Sequence, residues 1–369
     1  MTATTARRRL LSWRTRFSED AGGRAQKRPH RRLYQGLLIT LAVLTAVAAP
    51  GVAALLVWDG GIDTGPRREI LPGVRLDLRT AETSRGPVQY DLAGTRGPIV
   101  LSVHAGLGGA DQGRLFADWL RGAGFRILSP SRPGYLGTPL DSGRSLEQQA
   151  DLLAALLDTL SIQRVGVLAV SAGSPVGYVF AARHPDRVWG LVSISGVSRP
   201  QTGEASRSAV QTAFLNTVGQ KLVRLTAKVS LRSIVEGTLD ETSTFTDQQK
   251  ADRTAYILRH PQARALFSAL FNSTFPYPDR TPGTDNDALQ SRSELPLERI
   301  ATPTLIVHGT QDGDVPFEEG QYAAEQIPGA THYWMKHDEH LGFWLSPAAG
   351  PAHTAVGEFL KRCAGLTHP

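Results

Sequence analysis

The sequence predicts an α/β fold, a mostly parallel central sheet flanked by helices, with a helical lid insertion and an N-terminal transmembrane helix. Three observations predict it. Short continuous apolar runs, such as PIVLSVH at 98–104, alternate with longer stretches of helical spacing. Residues 198–299 break that alternation with helical patterning and no buried strand run. Residues 33–58, 26 in all, carry no Asp, Glu, Lys or Arg.

The chain of 369 residues is long enough for one large domain with an insertion. Its 41% hydrophobic and 20% charged residues supply a sizeable core. The net charge of +6 is unevenly placed: ten of the 40 Lys and Arg fall before residue 33, and the remainder of the chain is slightly acidic. That distribution excludes an electrostatic case for nucleic acid and leaves a basic head, 1–32, beside an apolar run. At about 1.5 Å per residue the run at 33–58 exceeds the roughly 30 Å hydrocarbon core of a bilayer. With the basic head held in the cytoplasm, it predicts a single-pass membrane protein with an extracytoplasmic catalytic domain. The alternative is secretion after cleavage at Ala46-Val47-Ala48, which would leave the apolar stub 52–58 on the mature chain. Cys363 is the only cysteine, so an intrachain disulfide is excluded.

Residues 59–70 read as a linker, rich in glycine and charge. A core follows over 71–197 and 300–369, split by the lid at 198–299. Strands are expected at 73–78, 88–92, 98–104, 125–128, 164–170, 188–195, 304–308 and 332–336. Helices are expected at 115–123, 146–160, 172–184, 318–326 and 353–361.

In Leu168-Ala169-Val170-Ser171-Ala172-Gly173-Ser174 an apolar strand runs through a serine directly into a helix. This is a nucleophile elbow, a variant of G-x-S-x-G in which Ala169 and Gly173 are small enough for strand and helix to approach. Ser171 is therefore the candidate nucleophile; Ser174, inside the first helical turn, reads as a packing or capping residue. The glycine-rich loop His104-Ala105-Gly106-Leu107-Gly108-Gly109 follows the central strand and can turn its N–H groups toward a reacting carbonyl. The N–H groups of Gly106 and Ala172 are the expected oxyanion hole, with Leu107 as the alternative donor. His104 reads as a brace for the loop. After the strand at 304–308, His308-Gly309-Thr310-Gln311-Asp312-Gly313-Asp314 delivers a carboxylate to the C-terminal end of the sheet, where open parallel sheets carry their sites. Asp312 is the candidate acid and Asp314 its rival. In Lys336-His337-Asp338-Glu339-His340, His340 precedes an apolar run that can hold it, whereas His337 faces solvent.

With these residues in chain order Ser171, Asp312, His340, the sequence resembles the α/β-hydrolase superfamily over residues 73–362. Ser131-Arg132-Pro133-Gly134-Tyr135 resembles that family's D-R-P-G-Y loop, with Ser131 where Asp is usual. His104-Ala105-Gly106-Leu107-Gly108 resembles the H-G-G-P-G loop of its proline iminopeptidase and esterase-like branches, with Ala105 for Gly and Leu107 for Pro. The resemblance implies a Ser-His-Asp triad that forms an acyl-enzyme without metal or organic cofactor. The substrate implied is a small-molecule ester, or, for an iminopeptidase-type aminopeptidase, a short peptide. Lid carboxylates would then hold the peptide's ammonium group, from among Glu236, Asp240, Glu241, Asp279, Asp285 and Asp287. The plainer reading of these is solvated helix faces, and of 283–287 a turn. A reading of another class is a membrane-tethered, non-catalytic binding protein on the same fold. For the enzyme, activity should fall on the acid side near the ordinary histidine pKa of about 6.5.

Overall fold

The computed structural model describes residues 69–201 and 217–366. The expected transmembrane segment 33–58, the head 1–32, linker residues 59–68 and lid residues 202–216 lie outside the described residues. Among the described residues no helix is long and apolar enough to cross a membrane.

A hairpin of β1 (Glu69–Leu71) and β2 (Val74–Arg75) precedes the sheet. The sheet strands are β3 (Arg79–Thr83), β4 (Gly86–Ala93), β5 (Ile99–Val103), β6 (Arg126–Pro130), β7 (Val165–Val170), β8 (Val188–Ile194), β9 (Thr304–Gly309) and β10 (Thr331–Met335). They lie in the order β10-β9-β8-β7-β5-β6-β4-β3. β3, β4 and β6 pair antiparallel and every other neighbour pair is parallel. The helices are α1 (Ala110–Ala117), α2 (Leu146–Thr159), α3 (Ser174–Arg183), α4 (Thr217–Val229), α5 (Leu231–Thr242), α6 (Asp247–Arg259), α7 (Pro261–Asn272), α8 (Thr281–Gln290), α9 (Phe317–Gln326), α10 (Gly342–Leu345) and α11 (Ala349–Cys363).

Strands β5, β7, β8 and β9 are buried along their whole length, as continuous apolar runs require when helices cover both faces of a sheet. Successive residues serve opposite faces: Val100 and Leu168 join one apolar cluster with Phe116, Phe267 and Phe359, while Leu101 and Val167 join another with Leu156, Val176 and Phe180. The first cluster includes lid residues from α5 to α7, so the lid shares the core of the sheet domain.

Several expected elements shift. The strand expected at 73–78 is split: Gly73, with φ +78, closes the β1–β2 hairpin, and the Asp77 N–H turns to bond Asp91 Oδ1 at 2.7 Å. The helix expected at 115–123 begins at Ala110 and gives way to a 3-10 turn at Asp118–Arg121. The last helix begins at Ala349 rather than 353, because Pro351 is harmless within a first turn. The 283–287 run, read as a turn, is helical in α8. Pro282 suits a helix start, and Gly283 is glycine because a Cβ there would lie 2.2 Å from the Tyr135 ring.

Candidate active site

β7 ends at Ser171, which takes φ +52, a left-handed conformation that costs a serine of the order of 1–3 kcal/mol. A single 3-10 turn, Ser171–Gly173, then leads into α3. The sharp reversal needs small flanks. A Cβ on Gly173 would sit 2.3 Å from the His104 carbonyl oxygen and 2.8 Å from that of Val103, and one on Gly177 would sit 2.7 Å from the Ala169 methyl. Ser171 is nearly buried, and its carbonyl accepts from the Val197 N–H at 3.4 Å.

The glycine-rich loop lies against this elbow: a Cβ on Gly106 would be 3.8 Å from the Ala172 methyl. Among the described residues no hydrogen bond occupies the N–H of Gly106 or of Ala172. Leu107 carries φ +58, the strained point of the loop. His104 braces the loop: its Nδ1–H donates to the Ala105 carbonyl at 2.7 Å and its Nε2 accepts the Arg132 N–H at 3.0 Å. Burial, with Arg132 and Arg280 nearby, holds its pKa well below the ordinary histidine value, so it stays neutral. Two buried arginines clamp the same loop to the lid. Arg132 forks onto Asp287 of α8 at 2.6 Å, and Arg280 pairs with Asp111 at 2.8 Å while donating to the Gly108 carbonyl. Asp287 also accepts from Tyr135 at 2.6 Å, so the solvated reading of this carboxylate is overturned. Ser174 is fully buried and accepts from Ser193 at 3.0 Å, a packing position.

The loops after β9 and β10 bring Asp312 and His340 together, with His340 Nδ1–H donating to Asp312 Oδ2 at 2.8 Å. The other oxygen, Oδ1, accepts the backbone N–H groups of Asp314 and Val315 at 3.0 and 2.9 Å, which fixes the carboxylate plane. His308 Nε2 adds a contact to Oδ2 at 3.3 Å. Burial disfavours the charge on Asp312, but His340 and His308 outweigh it and hold the carboxyl well below the usual range. Burial likewise opposes charge on His340, yet Asp312 and Asp314 outweigh it and push its pKa up to about 9. Asp314 lies on the other side of the ring, its half-exposed carboxylate 3.5 Å from His340 Nε2. Among the described residues no hydrogen bond joins Ser171 to His340. The Ser195 hydroxyl, just past β8, holds the His340 carbonyl at 3.1 Å and so ties the histidine loop to the strand beside β7. His337 is exposed, as expected.

The sequence reading missed three contributors. His308 was legible only as part of its loop, because nothing in a single sequence aims its ring at Asp312. Asp314 was weighed as a rival to Asp312 and instead faces the opposite nitrogen of the same imidazole. Arg253, from the lid, is buried against Asp338 and Glu339 and carries no motif at all. Among the described residues no group of three His, Cys, Asp or Glu side chains is placed to hold a metal ion.

A serine at a strained strand-to-helix turn, an open pair of backbone N–H groups beside it and an Asp–His couple at neighbouring strand ends define a hydrolase-type site. A family model described as alpha/beta hydrolase fold matches residues 98–347, and the chain belongs to that family. It is 36% identical to an alpha/beta hydrolase fold protein of Nakamurella multipartita, over 78% of this chain and 100% of that one, with a TM-score of 0.73. An uncharacterized hydrolase of Bacillus subtilis, YcgS, is 26% identical over 77% of this chain and 98% of its own. A putative carbamate hydrolase, RutD, of Stutzerimonas stutzeri is 28% identical over 69% of this chain and 89% of its own.

Proposed function

We propose that the protein is a serine hydrolase that cleaves a small-molecule ester through an acyl-enzyme. The observation that carries this reading is the His340–Asp312 hydrogen bond of 2.8 Å, on the same strand-end face of the sheet as Ser171. Ser171 Oγ attacks the acyl carbonyl as His340 Nε2 takes its proton, and Asp312 keeps the proton on Nδ1 and stabilises the imidazolium. The N–H groups of Gly106 and Ala172 receive the developing oxyanion. Protonated His340 then passes its proton to the leaving alcohol, and water, activated by the same imidazole, releases the acid. The missing Ser171–His340 hydrogen bond is compatible with this sequence, because such bonds often tighten only around substrate.

An ester is favoured over an N-terminal peptide substrate by the fate of three of the six lid carboxylates. Asp287 is spent on Arg132 and Tyr135, Glu236 pairs with Arg232 and Asp240 with Lys250, which leaves them poorly suited to hold a substrate ammonium group. The carbamate chemistry in the name of one relative belongs to the same acyl-transfer class. The apolar segment 33–58 is taken as an uncleaved anchor that places the catalytic domain outside the cytoplasm.

One labelling experiment tests both halves. Fluorophosphonate treatment of fractionated cells should mark the full-length chain in the membrane fraction, and Ser171→Ala should abolish both labelling and ester turnover without loss of folding. A labelled Ser171→Ala protein would overturn the nucleophile, and label confined to the soluble fraction the anchor.

A further inference from the structure

We propose that the α5–α6 turn of the lid, with Arg253 behind it, positions the catalytic base, so that the lid is part of the acid–base machinery as well as a cover. This rests on the reading of His340 as general base. Residues 242–244 touch both catalytic loops through backbone atoms. The Thr242 carbonyl accepts from the Gly313 N–H at 3.1 Å and from the His340 N–H at 3.3 Å, so one lid oxygen ties the acid loop to the base itself. Ser243 forms an antiparallel bridge with Asp312, and the Thr244 N–H donates to the Gln311 carbonyl at 3.0 Å. The Gln249 amide donates to Gln311 Oε1 at 2.8 Å. The approach is close enough to require Gly313, where a Cβ would lie 2.6 Å from the Ser243 backbone.

Behind this turn, Arg253 of α6 spreads its two terminal nitrogens over Asp338 Oδ1 and Glu339 Oε1, the residues immediately before His340. The three side chains are 8%, 3% and 1% exposed. One guanidinium facing two carboxylates in a dry site cannot be given up without leaving charge buried and unpaired, which is costly. Asp338 also accepts from Ser346 at 3.2 Å, and Glu339, with one oxygen on Arg253, receives the Leu341 N–H on the other. His340 thus stands between Glu339, held by the lid, and Leu341, whose N–H Glu339 holds in turn. A lid that swung away as a whole would pull Thr242 from both loops and uncover these carboxylates. Any opening that admits substrate during turnover must leave this turn in place.

The test uses the full-length protein and three variants: Arg253→Met, Arg253→Lys, and Arg253→Met combined with Glu339→Gln. kcat and KM are measured on p-nitrophenyl acetate, too small to depend on lid contacts, beside Tm and the downfield resonance of the His340 Nδ1 proton. A misplacement of about 1 Å at a catalytic group can cost roughly a hundredfold. Arg253→Met should therefore lose about a hundredfold in kcat with KM little changed, and broaden that resonance, with Arg253→Lys intermediate. The double variant removes a stranded carboxylate and should recover Tm without recovering kcat. If kcat returns together with Tm, or if a folded variant without the guanidinium keeps both kcat and a sharp resonance, Arg253 is only structural and the proposal fails. Should Arg253→Met not fold, the Lys and double variants decide on the same readouts. Failure of the hydrolase reading looks different: the parent itself would neither turn over the ester nor take the fluorophosphonate, while the resonance would still report how His340 sits against Asp312.

Discussion

The nucleophile side and the acid–base side of the site are held in place by different physics. Ser171 is placed by local sterics: a strand, a strained residue at φ +52 and small neighbours that allow β7, α3 and the 104–109 loop to meet. His340 and Asp312 are placed by charge and by distant contacts. Arg253 reaches residues 85 and 86 positions along the chain, and Gln249 one 62 positions away. The arginines on the nucleophile side, Arg132 of the core and Arg280 of the lid, pair with Asp287 and Asp111 and also donate to loop carbonyls, bracing a backbone already shaped by glycine. On the acid–base side the lid contacts set where the reacting ring sits.

The largest expected effect breaks the acid–base side at its centre. Asp312→Asn removes the acceptor that fixes the His340 tautomer, a change worth roughly ten-thousandfold in kcat in the serine protease used as a reference for such triads. Its kcat on an activated ester should fall by several orders of magnitude, and a turnover near that of the parent would move the orienting role elsewhere. The next effect breaks the nucleophile side. A Gly173→Ala side chain must push on two backbone carbonyls, at 2.3 and 2.8 Å, that belong to the strand and loop carrying Gly106. Opening that contact separates the Gly106 and Ala172 N–H groups, and a lost oxyanion donor costs about a hundred- to a thousandfold. kcat should drop by that order while the His340–Asp312 proton resonance stays as in the parent, since the two sides are held independently. A parallel loss of that resonance would show that they are coupled.

What the sequence made legible follows the same division. The elbow, the glycine loop and the alternation of strand and helix rest on neighbours in the chain, so residues 168–174 and 104–109 announce themselves. Asp312 and His340 were legible as polar residues just past strands, because strand ends are where a parallel sheet exposes its loops. Arg253, Asp338 and Glu339 were not: a charged residue on a helix such as α6 has the same local signature whether it meets water or two buried carboxylates. Asp287 misled for that reason, sitting in a Gly-, Asn- and Asp-rich run that reads as a turn. Its role depends on Arg132, 155 positions earlier.

The smallest expected effect sharpens the comparison on the acid–base side alone. His340 has to be neutral to accept the Ser171 proton, and with its pKa pushed up to about 9 the free enzyme is largely imidazolium at neutral pH. kcat/KM should therefore climb until the pH passes that value, and not level off near 6.5 as an unperturbed histidine would. Asp314, 3.5 Å from Nε2, is one of the three carboxylates responsible, with Asp312 and Glu339, and it offers the imidazolium a partner on the nitrogen that must turn to Ser171. Asp314→Asn should shift the acid limb of kcat/KM to lower pH and raise activity at pH 7 by roughly severalfold, with the high-pH plateau unchanged. Stability should follow the same linkage. A histidine whose folded pKa is raised contributes stability that is full below its unfolded value and fades as the pH rises through about 9. The parent's Tm should accordingly decline across that interval, and the Asp314→Asn variant's should decline less. An acid limb that stays where it is in Asp314→Asn would mean that the shift on His340 comes from Asp312 and Glu339, and that Asp314 is an ordinary residue at the mouth of the site.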